Sequence, residues 1–122
     1  MSSESTWVSW IIQCDVKLSN RDQLLVLADE MASDFFKNES GTVNFEWSVN
    51  SDFSQLHLHE RYEESTTAIA HIQKFGDNYA QKFLALLSIK SVTVYGNPSD
   101  KLLETLSGMS PNIFTPFAGF TR

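Results

Sequence analysis

An α+β fold with the element order β-α-β-β-α-β is predicted by three features of this 122-residue chain. Four stretches alternate apolar and polar residues, the period of a half-buried strand. Two intervening stretches repeat apolar residues at the three-to-four spacing of a helix. Turn-forming Gly, Asn, Asp and Ser separate these stretches.

The first strand is read from Trp7 to Leu18, where Val8, Trp10, Ile12, Cys14, Val16 and Leu18 share one face. In "SNRDQLLVLADEMASDFFKNESG" the residues Leu24, Leu27, Ala28, Met31 and Phe35 form a helical stripe. Ser19 or Asn20 can cap its start and Gly41 lies just past its end, which gives a helix of about four turns. "TVNFEWSVN" is the second strand, with Val43, Phe45, Trp47 and Val49 on one face. "NSDFS" is a turn, and "QLHLHERY" is the third strand, with Leu56, Leu58, Glu60 and Tyr62 together. A turn centred on Asp52 and Phe53 sets Glu46 opposite His59 and Asn44 opposite Arg61.

Ser65 opens a second helix in which Ala68, His71, Ile72 and Phe75 share a side. Gly76 interrupts it, and a further helical piece carries Tyr79, Phe83, Leu86 and Leu87. "SVTVYG" is the fourth strand and "SDKLLETL" a short helix. The tail "NIFTPFAGF" is a loop or an edge strand, where prolines are tolerated.

This is the split βαβ, or ferredoxin-like, arrangement: an antiparallel sheet with its helices on one face. One domain over residues 7–122 is expected, with a flexible N-terminus at 1–6 and a C-terminal tail at 110–122. The uncovered face, with Ile11, Gln13, Glu46, Ser48, His57, His59 and Arg61, must meet water or a second copy of the chain.

A net charge of -6 and a pI near 4.9 exclude a general nucleic-acid or acidic-membrane binder, which needs clustered Lys and Arg. Cys14 is alone and cannot form an internal disulfide, and "MSSEST" lacks the regions of a signal peptide. No apolar run approaches the ~20 residues that span a bilayer, so a soluble cytoplasmic protein is expected. Dinucleotide, phosphate-loop, C-x-x-C and nucleophile-elbow motifs are all missing.

The chemistry concentrates in "HLHERYEESTTAIAH", which holds all three histidines of the chain. Glu60 lies about 10 Å back along the strand from Glu63 at ~3.3 Å per residue. His71 lies about 9 Å up the helix from Ser65 at ~1.5 Å per residue. The helix returns over its strand, so the two side chains meet between the layers. An imidazole and a carboxylate so placed can act as a general acid–base couple, or simply close the hairpin–helix junction as a hydrogen-bonded pair. His57 and His59 fall on the other face. With Glu46 they could hold a divalent ion, but a polar dimer contact is the preferred reading, and strand geometry excludes a metal bound by all three histidines. Cys14 reads as core, since nothing supplies the electropositive setting a reactive thiolate needs. The inward aromatics are first of all core, and Trp10, Trp47, Tyr62 and Tyr79 could also line a cleft for a flat apolar ligand.

The run Leu58-His59-Glu60-Arg61-Tyr62, followed by Ala68 and His71, resembles the short Glu/Trp … Ala … His signature of the antibiotic biosynthesis monooxygenase-like domains. The likeness covers roughly residues 7–95, and Tyr62 stands where that family usually has Trp. It implies a dimeric α+β barrel and a ligand cleft between sheet and helices. It also implies a cofactor-independent monooxygenase-like activity on a small aromatic, quinol-like or enolisable metabolite. His71 would then be the base and Glu60 would orient it, with Trp10, Trp47, Tyr62 and Tyr79 holding the ring. Members that degrade haem use a histidine late in the second helix, and "GDNYAQKFLALL" has none. Haem chemistry is therefore disfavoured, and with oxygen reacting directly with the deprotonated substrate no metal or other cofactor is expected. The alternatives are a non-catalytic small-molecule-binding module and a dimeric interaction domain of the same fold.

Overall fold

The computed structural model describes residues 6–122; most of the N-terminal segment expected to be flexible thus lies outside the described residues. Within the described residues five strands form one sheet in the order β2-β3-β1-β4-β5. They are β1 (Val8–Val16), β2 (Thr42–Val49), β3 (Gln55–Tyr62), β4 (Leu87–Gly96) and β5 (Asn112–Phe114). The first four pair antiparallel, whereas β5 adds to the β4 edge in parallel, so the sheet is mixed. Four helices accompany it: α1 (Arg21–Asn38), α2 (Ser65–Asn78), α3 (Ala80–Leu86) and α4 (Asp100–Leu106).

Helix α1 buries Leu24, Leu27, Met31 and Phe35, the stripe its sequence spacing predicts. It runs 18 residues, a turn longer than expected, and no side chain caps it. Asn20 instead gives its amide to the Leu86 carbonyl at 3.2 Å. Gly41 does not end the helix through a left-handed turn. It is buried, and a Cβ there would stand 2.7 Å from the Thr67 side chain. Its lack of a side chain lets the β2 entry approach α2.

The predicted hairpin register is the observed one, with Glu46 opposite His59 and Asn44 opposite Arg61. The face assigned to β2 needs one correction. A bulge between Thr42 and Asn44 pairs Thr42 with Tyr62, so Val43 turns out to 54% exposure and Thr42 takes its inward place. A second bulge shifts β1 against β4 beside Cys14. It lets Ile89 and Val92, three apart, both face the helices.

Gly76 does not interrupt α2, which continues to Asn78 and breaks at Tyr79. Leu87 belongs to β4 rather than to the helix before it. Two apolar clusters result. One joins α1 and α3 to β2 and β3 around Phe35, Leu58 and Phe83. The other joins α2 and α4 to β1 and β4 around Trp10, Tyr62 and Val94. Burial of side chains this large contributes roughly 1.5–3 kcal/mol each, and the candidate site lies at the seam between the clusters. Among the described residues no helix is long and apolar enough to cross a membrane.

Candidate functional site

Glu60 occupies the centre of β3, flanked across the sheet by Trp10 and Phe45. Period-two geometry sets its carboxylate toward the helices, where only 4% of the residue remains exposed. Tyr62, two positions on and fully buried, donates its hydroxyl to Glu60 Oε1. From α2, His71 brings Nε2 within 3.0 Å of the same oxygen. Its other nitrogen, Nδ1, lies 2.9 Å from Oε1 of Glu39, the residue at the end of α1. Phe35 packs edge-on against the imidazole at 4.5 Å between ring centres, with Tyr62 at 5.1 Å and Phe45 at 6.1 Å.

Burial alone lowers the proton affinity of His71, but hydrogen bonds and charge from Glu60 and Glu39 outweigh it and raise the pKa above the usual histidine value. Both ring nitrogens thus face a carboxylate oxygen, an arrangement that favours the protonated ring over the neutral one. Burial, with Glu60 close by, holds the Tyr62 hydroxyl well above the ordinary phenol range, so it stays a donor. Glu60 Oε1 therefore accepts twice. Among the described residues both of these contacts fall on Oε1 and none is seen on Oε2, which is not among the fully enclosed polar atoms without partners. It is the oxygen left to the adjoining space.

That space is a cavity of about 70 Å³ between sheet and helices, several times the ~10–15 Å³ that one water occupies on this measure. Trp10, Ile12, Phe45, Phe75, Val92 and Leu106 form much of its wall, and Glu60 and His71 are its only ionisable members. A carboxylate and an imidazole whose proton affinity is raised by its neighbours thus share an otherwise apolar chamber. This arrangement can take a proton from a weak carbon or phenol acid and hold the resulting anion.

The residues singled out from sequence separate here. Glu60, His71 and Trp10 line the cavity, whereas Tyr62 stands behind Glu60. Trp47 faces a different groove, beside Arg21, Leu25 and Phe53. Tyr79 packs on Phe35 and gives its hydroxyl to Asp34 at 2.5 Å. Burial and that carboxylate push its pKa up to about 12, which suits a structural donor. Lining by Trp47 and Tyr79 is thus not what the structure shows. The helix break at Tyr79 and the α1 side of the hairpin carry them away from the cavity. Glu39 was missed. It follows the helical stripe in a turn, and no periodicity marks a turn residue as inward.

His57 and His59 lie on the open face, 6.5 Å apart between ring centres. Among the described residues no group of three His, Cys, Asp or Glu side chains could hold a metal ion. Cys14 is 2% exposed, and burial, with Asp15 adding to it, pushes its thiol up to about 12. The tail beyond β5 passes the open face near Trp7, Arg61 and Tyr95 rather than the Glu60 cavity.

No protein-family model and no curated protein sequence matches the chain. Solved structures do. MupZ from Pseudomonas fluorescens superposes with a TM-score of 0.87 at 19% identity, over 100% of this chain and 94% of its own. A candidate antibiotic biosynthesis monooxygenase from Nitrosomonas europaea gives 0.64 at 17% identity, over 80% and 95% of the two chains. One from Chloroflexus aurantiacus gives 0.61 at 12% identity, over 76% and 94%. Identities this low carry the fold and leave the reaction open. The chain has the ferredoxin-like fold of the antibiotic biosynthesis monooxygenase-like structures.

Proposed function

We propose that this protein is a cofactor-independent, monooxygenase-like enzyme that removes a proton from a small aromatic, quinol-like or enolisable metabolite. The observation that supports the reading is Glu60 Oε2, without a hydrogen-bond partner among the described residues, beside a His71 whose two nitrogens each lie within 3.0 Å of a carboxylate, at the wall of an apolar cavity. It exchanges the roles expected from sequence. Both nitrogens of His71 are engaged by carboxylates, so the ring has no lone pair for a substrate proton. Glu60 is the base and the imidazolium stabilises the anion. For an enolisable CH2, the anion then gives its electrons to O2. One oxygen atom stays on carbon as a carbonyl, and the other leaves as water with the two hydrogens. Glu60 takes the first proton and returns it to the departing oxygen. Trp10 offers the flat apolar surface for the ring.

A screen of oxygen uptake on quinols and β-dicarbonyl enols tests this. Wild type consumes O2 with at least one of them, and Glu60→Gln lowers kcat by about 10²–10⁴-fold, the usual range for a lost general base. Equal uptake by a folded Glu60→Gln variant contradicts the assignment. Stabilisation by a metabolite that is never converted would instead favour the binding-module reading. We also place a second copy of the chain on the open face of the sheet, in a cytoplasmic setting. A monomer by light scattering at micromolar concentration removes the dimer.

A further inference from the structure

We propose that Glu39 is a positioning residue of the same site, holding His71 from the side away from the cavity and keeping its ring in the doubly protonated form. The inference rests on the proposed function for its catalytic meaning, but its geometry stands apart from that reading. Glu39 sits at the C-terminal end of α1, where the negative end of the helix dipole disfavours a carboxylate. Its Oε2 is fully enclosed and has no hydrogen-bond partner among the described residues. Helix stability does not account for an acidic side chain placed at two such disadvantages. The His71 Nδ1–H, 2.9 Å away, is the contact that offsets them.

The groups facing His71 come from every element around it. Glu60 and Tyr62 approach from β3, and Glu39 from the end of α1. From α2 itself comes Lys74, whose Nζ is 3.9 Å from Glu39 Oε2 but 2.7 Å from Asp34 on α1. The lysine is thus committed to Asp34, and His71 remains the close cation for Glu39. Thr42 donates its hydroxyl to Glu39 Oε1 at 2.7 Å, from the inward place that the β2 bulge gives it. That second donor shares the oxygen His71 uses, so it weakens the hold of Glu39 on the ring. Without the Glu39 charge the imidazolium proton is held less tightly. The cavity then loses the positive charge that faces the substrate anion.

Histidine-selective ¹⁵N NMR of the ligand-free protein across pH reads the ring directly. Glu39→Gln preserves shape and an acceptor but removes the charge. It should lower the His71 titration midpoint by at least about one pH unit, a tenfold loss of proton affinity. In turnover it should lower kcat with little change in KM and move the alkaline limb of the kcat profile to lower pH. Thr42→Val should act the other way, raising the midpoint by leaving Glu39 Oε1 wholly to His71. Coincident titrations of wild type and Glu39→Gln overturn the proposal. Should Glu39→Gln not fold, Thr42→Val decides, and a midpoint unchanged or lowered there overturns it. A shifted midpoint in a protein that turns over none of the candidate substrates supports Glu39 as positioning residue and sinks the oxygenase reading alone.

Discussion

His59 and Glu60 are neighbours in the chain and lie on opposite sides of one sheet. His59 is half-buried on the open face, across from an exposed Glu46 that accepts a hydrogen bond from Asn44 at 2.8 Å. Glu60 meets a phenol, an imidazole and an apolar chamber. Both neighbourhoods are histidine-rich and acidic in sequence. What separates them within the single chain is solvent, which screens each charge on the open face and leaves each charge inside dependent on named partners. A chemical site is read from the inside face for this reason, and not from the density of polar residues.

The comparison breaks most sharply in activity, where Glu60→Gln loses the base while His59→Ala leaves turnover unchanged, as read by oxygen uptake. Next comes stability. His71→Ala leaves the buried Glu60 carboxylate and the part-buried Glu39 carboxylate without their shared cation, and breaking a buried pair costs about 3–5 kcal/mol. Urea unfolding checks this against Gln73→Ala, at an exposed position of the same helix, expected within about 0.5 kcal/mol of wild type. Gly41→Ala drives a methyl into Thr67 and should cost about 1–3 kcal/mol, as overpacking does. A Gly41→Ala/Thr67→Ala double variant should recover much of that loss in the same assay.

The smallest effects are pH-dependent. The folded pKa of His71 is raised, so its contribution to stability is complete below about pH 6.5, its unfolded value. That contribution fades as pH rises through the folded value. Wild type should lose stability on the alkaline side relative to His71→Gln, in unfolding midpoints measured across pH. Asp34 behaves oppositely. Hydrogen bonds from Lys74, Tyr79 and Asn38 hold it at about 2 against an ordinary 3.8. Its contribution is present above about pH 4 and is lost as pH falls toward about 2. Asp34→Asn should flatten that acid limb.

Much of this frame is legible without coordinates. Period-two runs give the four antiparallel strands, and one turn residue pair gives the hairpin register that opposes Glu46 and His59. The facing of Glu60 and His71 follows from rise per residue in strand and helix. The rest depends on departures from period. A single bulge turns Val43 outward and Thr42 inward, and a pattern of alternation cannot announce an inserted residue. Glu39 reaches His71 across 32 positions of chain from a turn whose direction is set by Gly41 packing on α2. Tyr79 and Trp47 have the right faces but the wrong ends of their elements, which only the path of the helices decides.

Anaerobic hydrogen exchange isolates the central claim, that Glu60 Oε2 takes the substrate proton, from any later reaction with oxygen. In D2O without O2, wild type should wash deuterium into the acidic C–H of a substrate found by oxygen uptake. His59→Ala should do so at the same rate, and Glu60→Gln should fall to the uncatalysed background. Exchange at the wild-type rate by folded Glu60→Gln would contradict the account.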